Sequence, residues 1–203
     1  DYSGAIADYD KAIKLNPKYA LAYYNRGVAK SFLRDYSGTI TDFNKAIKLN
    51  PRDIDAYLNR GVAKDKLEDY SGAITDYNKA IKLNPRDGRA YSNRGLTKDN
   101  LKDYSGAIAD YDKAIKLNRR YYQAYYNRGR AKVGLKDYSG AITDFNKAIA
   151  INPTLYQAYS MRGLAKYKLK DYSGAIADYD KAIKLNPKYA LAYANRGIAK
   201  VMI

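Results

Sequence analysis

Arginine and aspartate recur along this chain at one fixed interval, and together they can pair with each other or bind an anion. Both columns advance by the same constant step. A guanidinium and a carboxylate at matched positions most simply form an ion pair that ties two helices together, with the arginine stem packed on apolar neighbours. A row of arginines that binds anions is the alternative. The columns are Arg26, Arg60, Arg94, Arg128, Arg162 and Arg196, and Asp8, Asp42, Asp76, Asp110, Asp144 and Asp178.

Other side chains give no support for catalysis. The 203 residues include neither Cys nor His, which excludes disulfides, Cys/His zinc sites, haem ligation by His and nucleophile–His pairs. The glycines stand singly, so there is no glycine-rich loop for a phosphate. Carboxylates such as Asp8 and Asp10 recur in every repeat, which fits a structural role better than a single acid–base site. We predict no enzyme activity, no cofactor and no metal site.

The whole chain is built from one repeated unit. Asp-Tyr-Ser-Gly begins at Asp1 and returns at a constant step, first at Asp35 and last at Asp171, and residues 1–19 are identical to residues 171–189. No linker or low-complexity tail remains, so we predict a single domain. It divides into a half repeat 1–19, full repeats 20–53, 54–87, 88–121, 122–155 and 156–189, and a half repeat 190–203.

Each repeat is predicted to form two helices. The first spans about residues 20–33, where apolar or small residues recur at three-to-four spacing. Asp35 is expected to cap the second helix, which carries an apolar stripe over residues 36–49. Pro51 then ends that helix, and Gly27 is small where the two helices must approach closely. The pattern leaves no room for strands and predicts an all-α protein of about 12 helices.

The repeat resembles the tetratricopeptide repeat family, whose period of about 34 residues equals the step from Asp1 to Asp35. Arg26, Lys30 and Arg119 depart from the family pattern, because they stand where Leu, Tyr and Pro are usual. The resemblance implies a right-handed superhelical solenoid of antiparallel helix pairs, with first helices lining a concave groove and second helices outside. The family's small, glycine, aromatic and proline positions are matched in the first full repeat by Gly27, Thr39, Phe43, Ala46 and Pro51.

A column of asparagines in the first helices is the main candidate for partner binding. The resemblance places this column in the groove, where its amides bind the backbone of an extended peptide. An amide offers the donor and the acceptor that a peptide unit requires. The alternative is an asparagine that bonds to the helix of the adjacent repeat. The column is Asn25, Asn59, Asn93, Asn127 and Asn195, with Met161 as the exception.

Groove positions that vary between repeats form a mixed surface. Tyr24, Val28, Tyr126 and Leu164 are expected to contact side chains of the partner. The family's clamp for C-terminal carboxylates is not predicted, because Tyr24 and Val28 stand where its Lys and a second Asn would be. The sequence therefore favours a non-enzymatic scaffold that binds a protein or peptide segment.

The net charge of +16 is spread along the chain and is not gathered in one patch. Lysine pairs such as Lys11 and Lys14 most simply form a solvated face on the second helices. Nonspecific polyanion binding is a third interpretation of the function. The chain has no recognised nucleic-acid motif and no apolar run of about 18 residues. We therefore predict neither specific nucleic-acid binding nor membrane insertion.

The first and last segments are the two halves of one repeat. Residues 190–203 of one copy can thus pack on residues 1–19 of the next, head to tail. This predicts an alternative function as a self-assembling filament, extracellular if it forms; the compartment is otherwise unassigned. A fragment of a longer array would have the same sequence. The residues expected at the contact are Asp1, Tyr2, Ile6, Tyr9, Tyr193, Ile198, Val201, Met202 and Ile203.

Overall fold

A computed structural model describes all residues from Asp1 to Ile203 and contains twelve α-helices and no strand. First and second helices alternate along the chain, which confirms the all-α class. The second helices are α1 (Tyr2–Leu15), α3 (Tyr36–Leu49), α5 (Tyr70–Leu83), α7 (Tyr104–Leu117), α9 (Tyr138–Ile151) and α11 (Tyr172–Leu185). The first helices are α2 (Ala20–Phe32), α4 (Ile54–Lys66), α6 (Gly88–Asn100), α8 (Tyr122–Gly134), α10 (Tyr156–Lys168) and α12 (Ala190–Val201).

Second helices begin at an aspartate cap. Asp35 accepts the backbone N–H of Gly38 at 2.9 Å, as predicted. A side chain at Gly38 would collide with the Asp35 carboxylate, so glycine makes room for the cap. Asp1 differs, because it accepts the N–H of Ser3 at 3.0 Å. Equivalent caps join Asp69 to Gly72, Asp103 to Gly106, Asp137 to Gly140 and Asp171 to Gly174.

The turn from the first to the second helix passes through a left-handed residue. Arg34 has φ 62°, and the Asp35 N–H donates to the Lys30 carbonyl at 3.0 Å. This bond closes the first helix in the manner of a Schellman turn and delivers the aspartate to its capping position. No glycine occupies the turn in any repeat. The residues with this backbone are Arg34, Glu68, Lys102, Lys136 and Lys170.

The turn between repeats is also uniform. Tyr19 N–H donates to the Asn16 carbonyl at 3.1 Å after a helix that ends before a proline. Tyr121 N–H makes the same bond to Asn118 at 3.1 Å, although Arg119 replaces the proline there. The side chain of Asn118 also accepts the backbone N–H of Arg120 at 2.9 Å, so the turn forms without the proline ring.

Glycine and alanine in the first helices admit the aromatic rings of the second helices. A Cβ at Gly61 would lie 2.6 Å from Cε1 of Tyr77, whose side chain is fully buried. Gly27 has the same relation to Phe43 at 3.2 Å, which confirms the expected close approach. Each helix pair thus encloses one ring between small residues.

The chain divides into two compact units, Asp1–Thr97 and Lys98–Ile203. The first unit has a core of Tyr57, Leu58, Ala73, Tyr77, Ala80 and Ala90. The second unit has several smaller clusters of the same kind, such as Ala141, Phe145 and Ala165. The prediction of one continuous domain stays a prediction.

The left-handed turn predicts a stabilising substitution. Lys136→Gly should raise the free energy of unfolding by about 1 kcal/mol, because only glycine adopts this backbone without steric cost. Lys147→Gly, at an exposed position inside α9, should instead lower it by about 1 kcal/mol. Chemical denaturation of both variants measures the difference. Equal effects of the two substitutions would contradict the assignment.

Candidate functional site

Arginines of the column bind a buried aspartate of their own repeat through two hydrogen bonds. Arg26 Nε donates to Asp42 Oδ2 at 2.9 Å and its Nη2 donates to Oδ1 at 2.5 Å. The Asp42 side chain is only 1% exposed. This geometry confirms the ion-pair interpretation of the two columns. The same bidentate pair joins Arg60 to Asp76, Arg128 to Asp144 and Arg162 to Asp178.

A lysine column completes each of these charge clusters, and its role was not predicted from the sequence. Lys30 Nζ lies 2.9 Å from Asp42 Oδ2, so one buried carboxylate is shared by two cations. The signal was present, because the lysine recurs once in every repeat, as the arginine does. The other pairs are Lys64–Asp76, Lys98–Asp110, Lys132–Asp144 and Lys166–Asp178.

The third nitrogen of each arginine reaches the preceding second helix. Arg26 Nη1 donates to Asp10 Oδ1 at 2.6 Å, and its guanidinium lies 5.6 Å from the Tyr23 ring centroid. Arg26 therefore joins α1, α2 and α3. The hydrogen bonds that Arg26 donates to Asp42 raise the pKa of the Arg26 guanidinium. Since all three of its nitrogens are engaged within the protein, we interpret the column as structural and not as an anion site.

The two carboxylates on Arg128 differ in burial and predict different energies. Asp144→Ala should lower the free energy of unfolding by about 3 kcal/mol, because Arg128 and Lys132 lose a partner that is 1% exposed. Asp112→Ala should cost less than about 1 kcal/mol, because Asp112 is 56% exposed. Urea denaturation of the two variants provides the comparison. Similar losses would contradict the burial argument.

Two asparagines of the column border open cavities at equivalent positions in the two units. In the first unit Asn59 lines a cavity of about 120 Å³ together with Phe43. In the second unit Asn195 lines a cavity of about 280 Å³ together with Tyr179. The other walls are Val28, Ser31, Phe32 and Val62 in the first, and Leu164, Tyr167, Lys168 and Ile198 in the second. Each wall residue has its counterpart four repeats away.

A third cavity, of about 210 Å³, borders Asn25. Tyr9 lies here where Phe43 lies in the Asn59 cavity, and Val28 lies where Val62 does. No preceding first helix supplies the opposite wall, and Tyr2 stacks on Phe32 at its edge with ring centroids 4.7 Å apart. The Asn25 cavity is thus one half of the arrangement seen at Asn59.

Asn59 also bonds to the adjacent repeat, as the structural alternative predicted. Its Nδ2 donates to the Tyr24 hydroxyl at 2.9 Å, while its amide oxygen accepts no hydrogen bond from the protein. Burial raises the pKa of the Tyr24 hydroxyl, and Asp55 and Asp53 add to that rise. One amide can therefore anchor the groove wall and still offer an acceptor to a ligand.

The remaining predicted groove residues are half-buried and lie outside these cavities. Asn93 and Asn127 belong to α6 and α8. Tyr126 packs against Phe145 at 6.0 Å between ring centroids and belongs to a cluster that includes Met161. The structure thus brings Asn25, Asn59, Asn195, Val28 and Leu164 to cavities, and the peptide-binding role of the column stays a prediction.

Asp65, a half-buried residue of the first unit, forms a hydrogen-bonded cluster that was not predicted from the sequence. Asp65 Oδ2 accepts hydrogen bonds from the Tyr77 hydroxyl at 2.9 Å and the Thr97 hydroxyl at 2.7 Å. Its Oδ1 is buried without a partner. Burial raises the pKa of Asp65, although both hydrogen bonds oppose the rise. At the equivalent place in the second unit, Ala131 replaces the threonine and the Tyr111 hydroxyl is buried without a partner.

The raised pKa of Asp65 predicts a pH-dependent gain from Asp65→Asn. A native pKa above the usual 3.8 means that the folded state holds the proton more tightly, so wild-type stability falls as pH rises from about 3.8 through the native pKa. The variant has no titrating carboxyl group at this position, so it does not lose stability over this pH range. Its free energy of unfolding relative to wild type should therefore be higher at pH 7 than at pH 3.5. Urea titrations at both pH values measure it, and a pH-independent difference would contradict the prediction.

The residues expected at a contact between copies lie on the surfaces of α1 and α12. Ile6 and Tyr9 are half-buried, while Tyr193 and Ile198 are 43% and 53% exposed. Beyond them, Val201, Met202 and Ile203 are also exposed. The head-to-tail contact stays a prediction at this point.

Neither a cluster of metal-ligating side chains nor a membrane-spanning helix is found in the structure. It contains no group of three acidic side chains that could hold a metal ion. None of its helices combines the length and apolarity that a bilayer crossing demands.

Models of known protein families match residues 1–155 and 163–202 of the chain. The tetratricopeptide repeat family matches residues 54–87, 88–121 and 122–155, and a second form of that repeat matches residues 20–53. A related TPR repeat matches residues 1–30 and 163–202. The chain therefore belongs to the tetratricopeptide repeat family, as its sequence predicted. No curated protein sequence matches the chain significantly.

Solved structures of tetratricopeptide repeat proteins share the fold. MamA is 26% identical, with a TM-score of 0.72 over 84% of this chain and 93% of MamA. A repeat protein from Parabacteroides merdae is 22% identical, with a TM-score of 0.83 over 99% of this chain and 80% of its own. YrrB, described as a TPR protein with an unusual peptide-binding site, is 22% identical, with a TM-score of 0.71 over 93% of this chain and 97% of its own.

Proposed function

We propose that this chain is a non-enzymatic interaction scaffold whose first helices hold an extended peptide or partner segment through the asparagine column. The observation that carries the proposal is the recurrence of one cavity design at Asn59 and Asn195, in separate units. A partner side chain can enter such a cavity while the asparagine bonds to the partner's backbone.

The wall residues indicate what each cavity accepts. The Asn59 cavity is walled mainly by Val28, Phe32 and Val62, which suits a small aliphatic side chain. The Asn195 cavity is larger and carries Tyr167 and the exposed Lys168, which suits a longer side chain with a polar or anionic end. The cavity residues that vary between repeats would thus contact the partner's side chains. The asparagine, which is nearly constant, would bind the partner's main chain.

Two observations support this assignment, and the second weighs against anion binding by the charged columns. Tetratricopeptide repeat proteins bind protein partners, and the structural relative YrrB is described by its peptide-binding site. The charged columns that first suggested anion binding are largely occupied by partners within the chain. The residues that would attract polyanions are therefore the exposed lysines of the second helices, and salt would screen that attraction.

Removal of an amide should weaken peptide binding. A random peptide library selected on the 203-residue chain would provide ligands, whose affinities are then measured by fluorescence anisotropy. For a ligand of the Asn59 cavity, Asn59→Ala should weaken binding at least tenfold, because the peptide backbone loses its partner. Asn195→Ala should leave this ligand unaffected.

Tyr24 does not line the Asn59 cavity, and Tyr24→Phe keeps the aromatic ring, so this variant is the matched control: it deletes the same internal hydrogen bond and retains the amide. If Tyr24→Phe weakens binding as much as Asn59→Ala, Asn59 contributes only through its hydrogen bond to Tyr24 and does not bind the peptide. That result, or a library that yields no ligand, would overturn the proposal.

A further inference from the structure

The residue that follows the glycine of each first helix is apolar in every repeat but one. Val28 and Val62 of this column line the Asn59 cavity, so the column borders the groove cavities. Arg130 is the exception, and it lies on α8 one turn from Asn127. A position that forms an apolar wall in other repeats therefore carries a cation here. The column is Val28, Val62, Leu96, Arg130, Leu164 and Ile198.

The guanidinium of Arg130 is only loosely engaged within the protein. Its one ion pair joins Nη2 to Asp99 Oδ2 at 3.4 Å, which is beyond the usual range of an N–H···O hydrogen bond. Arg128, on the same helix, donates to Asp144 at 2.9 Å and 2.5 Å, and its side chain is 19% exposed. The Arg130 side chain is 38% exposed. The donors of Arg130 are therefore available to a ligand, whereas those of Arg128 are not.

Asp99 has fewer partners than the equivalent aspartate one repeat earlier. Asp65 accepts hydrogen bonds from the hydroxyls of Tyr77 and Thr97. The Asp99 side chain is only 6% exposed, and its one contact with a donor is the long ion pair to arginine. Tyr111 is equivalent to Tyr77, and its buried hydroxyl has no hydrogen-bond partner. A buried carboxylate and a buried hydroxyl that could satisfy each other are thus left apart.

The arginine explains why Asp99 and Tyr111 do not bond. Leu96 stands at the place equivalent to Arg130 one repeat earlier, so no arginine there competes for Asp65. Asp65 consequently accepts its tyrosine hydroxyl at 2.9 Å. At Asp99 the cation attracts the carboxylate instead. The same backbone positions therefore permit two arrangements of Asp99, one on Arg130 and one on Tyr111.

We propose that Arg130 binds an acidic side chain of the partner segment, and that Asp99 occupies the arginine until the partner arrives. The incoming carboxylate would form a bidentate pair with the guanidinium, and Asp99 would turn to the Tyr111 hydroxyl. One long ion pair would thus be exchanged for a direct pair and an internal hydrogen bond. This proposal rests on the peptide-binding function proposed above and names one side chain that the partner carries.

Charge and geometry both favour a carboxylate as the occupant. The planar fork of a guanidinium matches the two oxygens of a carboxylate, and the net charge of +16 attracts acidic segments. Asn127 and Arg130 are three residues apart on α8, so one peptide could place its main chain on the amide and its acid on the arginine. Arg130 also opposes the rise that burial produces in the pKa of Tyr126, a predicted partner contact. Arg130 would therefore select an acidic residue where other repeats select apolar ones.

Three variants separate the parts of this exchange. Arg130→Leu should abolish carboxylate binding. Asp99→Asn removes the competing charge and should tighten binding at least threefold, while Tyr111→Phe removes the hydroxyl that receives Asp99 and should weaken it at least threefold; both changes lie within the net strength of one hydrogen bond. Tyr77→Phe makes the same change in the first unit, away from any groove arginine, and is the matched control. Circular dichroism checks that each variant folds.

The probe is N-acetylglutamate amide, and N-acetylglutamine amide is its uncharged counterpart. Each is titrated into isotope-labelled protein, and NMR spectra follow the side-chain Nε–H signal of Arg130, which is assigned by its loss in Arg130→Leu. This signal should shift saturably with the glutamate probe and stay in place with the glutamine probe. The signal of Arg128 should not move, because its guanidinium is held by Asp144 and Asp112.

An Arg130 signal that does not shift with the glutamate probe, or that shifts equally with the glutamine probe, would overturn the proposal. An Asp99→Asn variant that binds the glutamate probe no more tightly than wild type would overturn it as well. If Tyr111→Phe and Tyr77→Phe have equal effects on binding, Asp99 does not turn to Tyr111, and the exchange is wrong.

Peptides from the random library test whether the carboxylate belongs to a partner segment. Ligands selected on wild type should share an aspartate or glutamate at one position, and ligands selected on Arg130→Leu should not. Absence of this enrichment would overturn the assignment to a partner side chain. The probe titration uses no peptide, so a library without ligands would remove the proposed function while the titration still decides whether Arg130 binds a carboxylate.

Discussion

The buried carboxylate of each second helix is the interaction on which this architecture depends. Burial of the Asp42 carboxylate without a partner would cost free energy, because the protein interior does not solvate a charge as water does. Two hydrogen bonds from Arg26 and the ammonium of Lys30 compensate that cost. The same arginine also reaches Asp10 on the preceding helix. One charge cluster therefore sets the spacing of three helices, while alanines and single aromatic rings fill the space between them.

This division of labour explains the composition of the chain. The core contains few large aliphatic side chains and many alanines and tyrosines. A core of this kind supplies less hydrophobic burial per residue than one of leucine and isoleucine. Hydrogen-bonded ion pairs also have strict geometric requirements, so they select one pairing of helices among several that are nearly equivalent. Specificity and burial are thus provided by different side chains of the same interface.

Much of the fold could be predicted from the sequence, because comparison of the repeats shows which positions keep the same residue. The helix bounds, the Asp35 cap and the close approach at Gly27 all follow from local rules and were confirmed. Lys30 was treated as a departure from the family pattern, although its column is as complete as that of Arg26. Its role depends on the distance to Asp42, which periodicity does not supply. The hydrogen-bonding role of Asp65 could not be predicted either, because its partners Thr97 and Tyr77 lie on different helices.

The uniform interfaces have a consequence for how such a chain changes length. Because Arg26 and Arg162 make the same bonds to Asp42 and Asp178, a second helix from one repeat satisfies the first helix of another. Loss or duplication of a whole unit, by unequal recombination within the gene, would preserve this arginine–aspartate pair in every helix pair that remains. The array can gain or lose one repeat at a time and keep these ion pairs without a compensating mutation. The groove residues that differ between repeats would show which repeat was gained or lost.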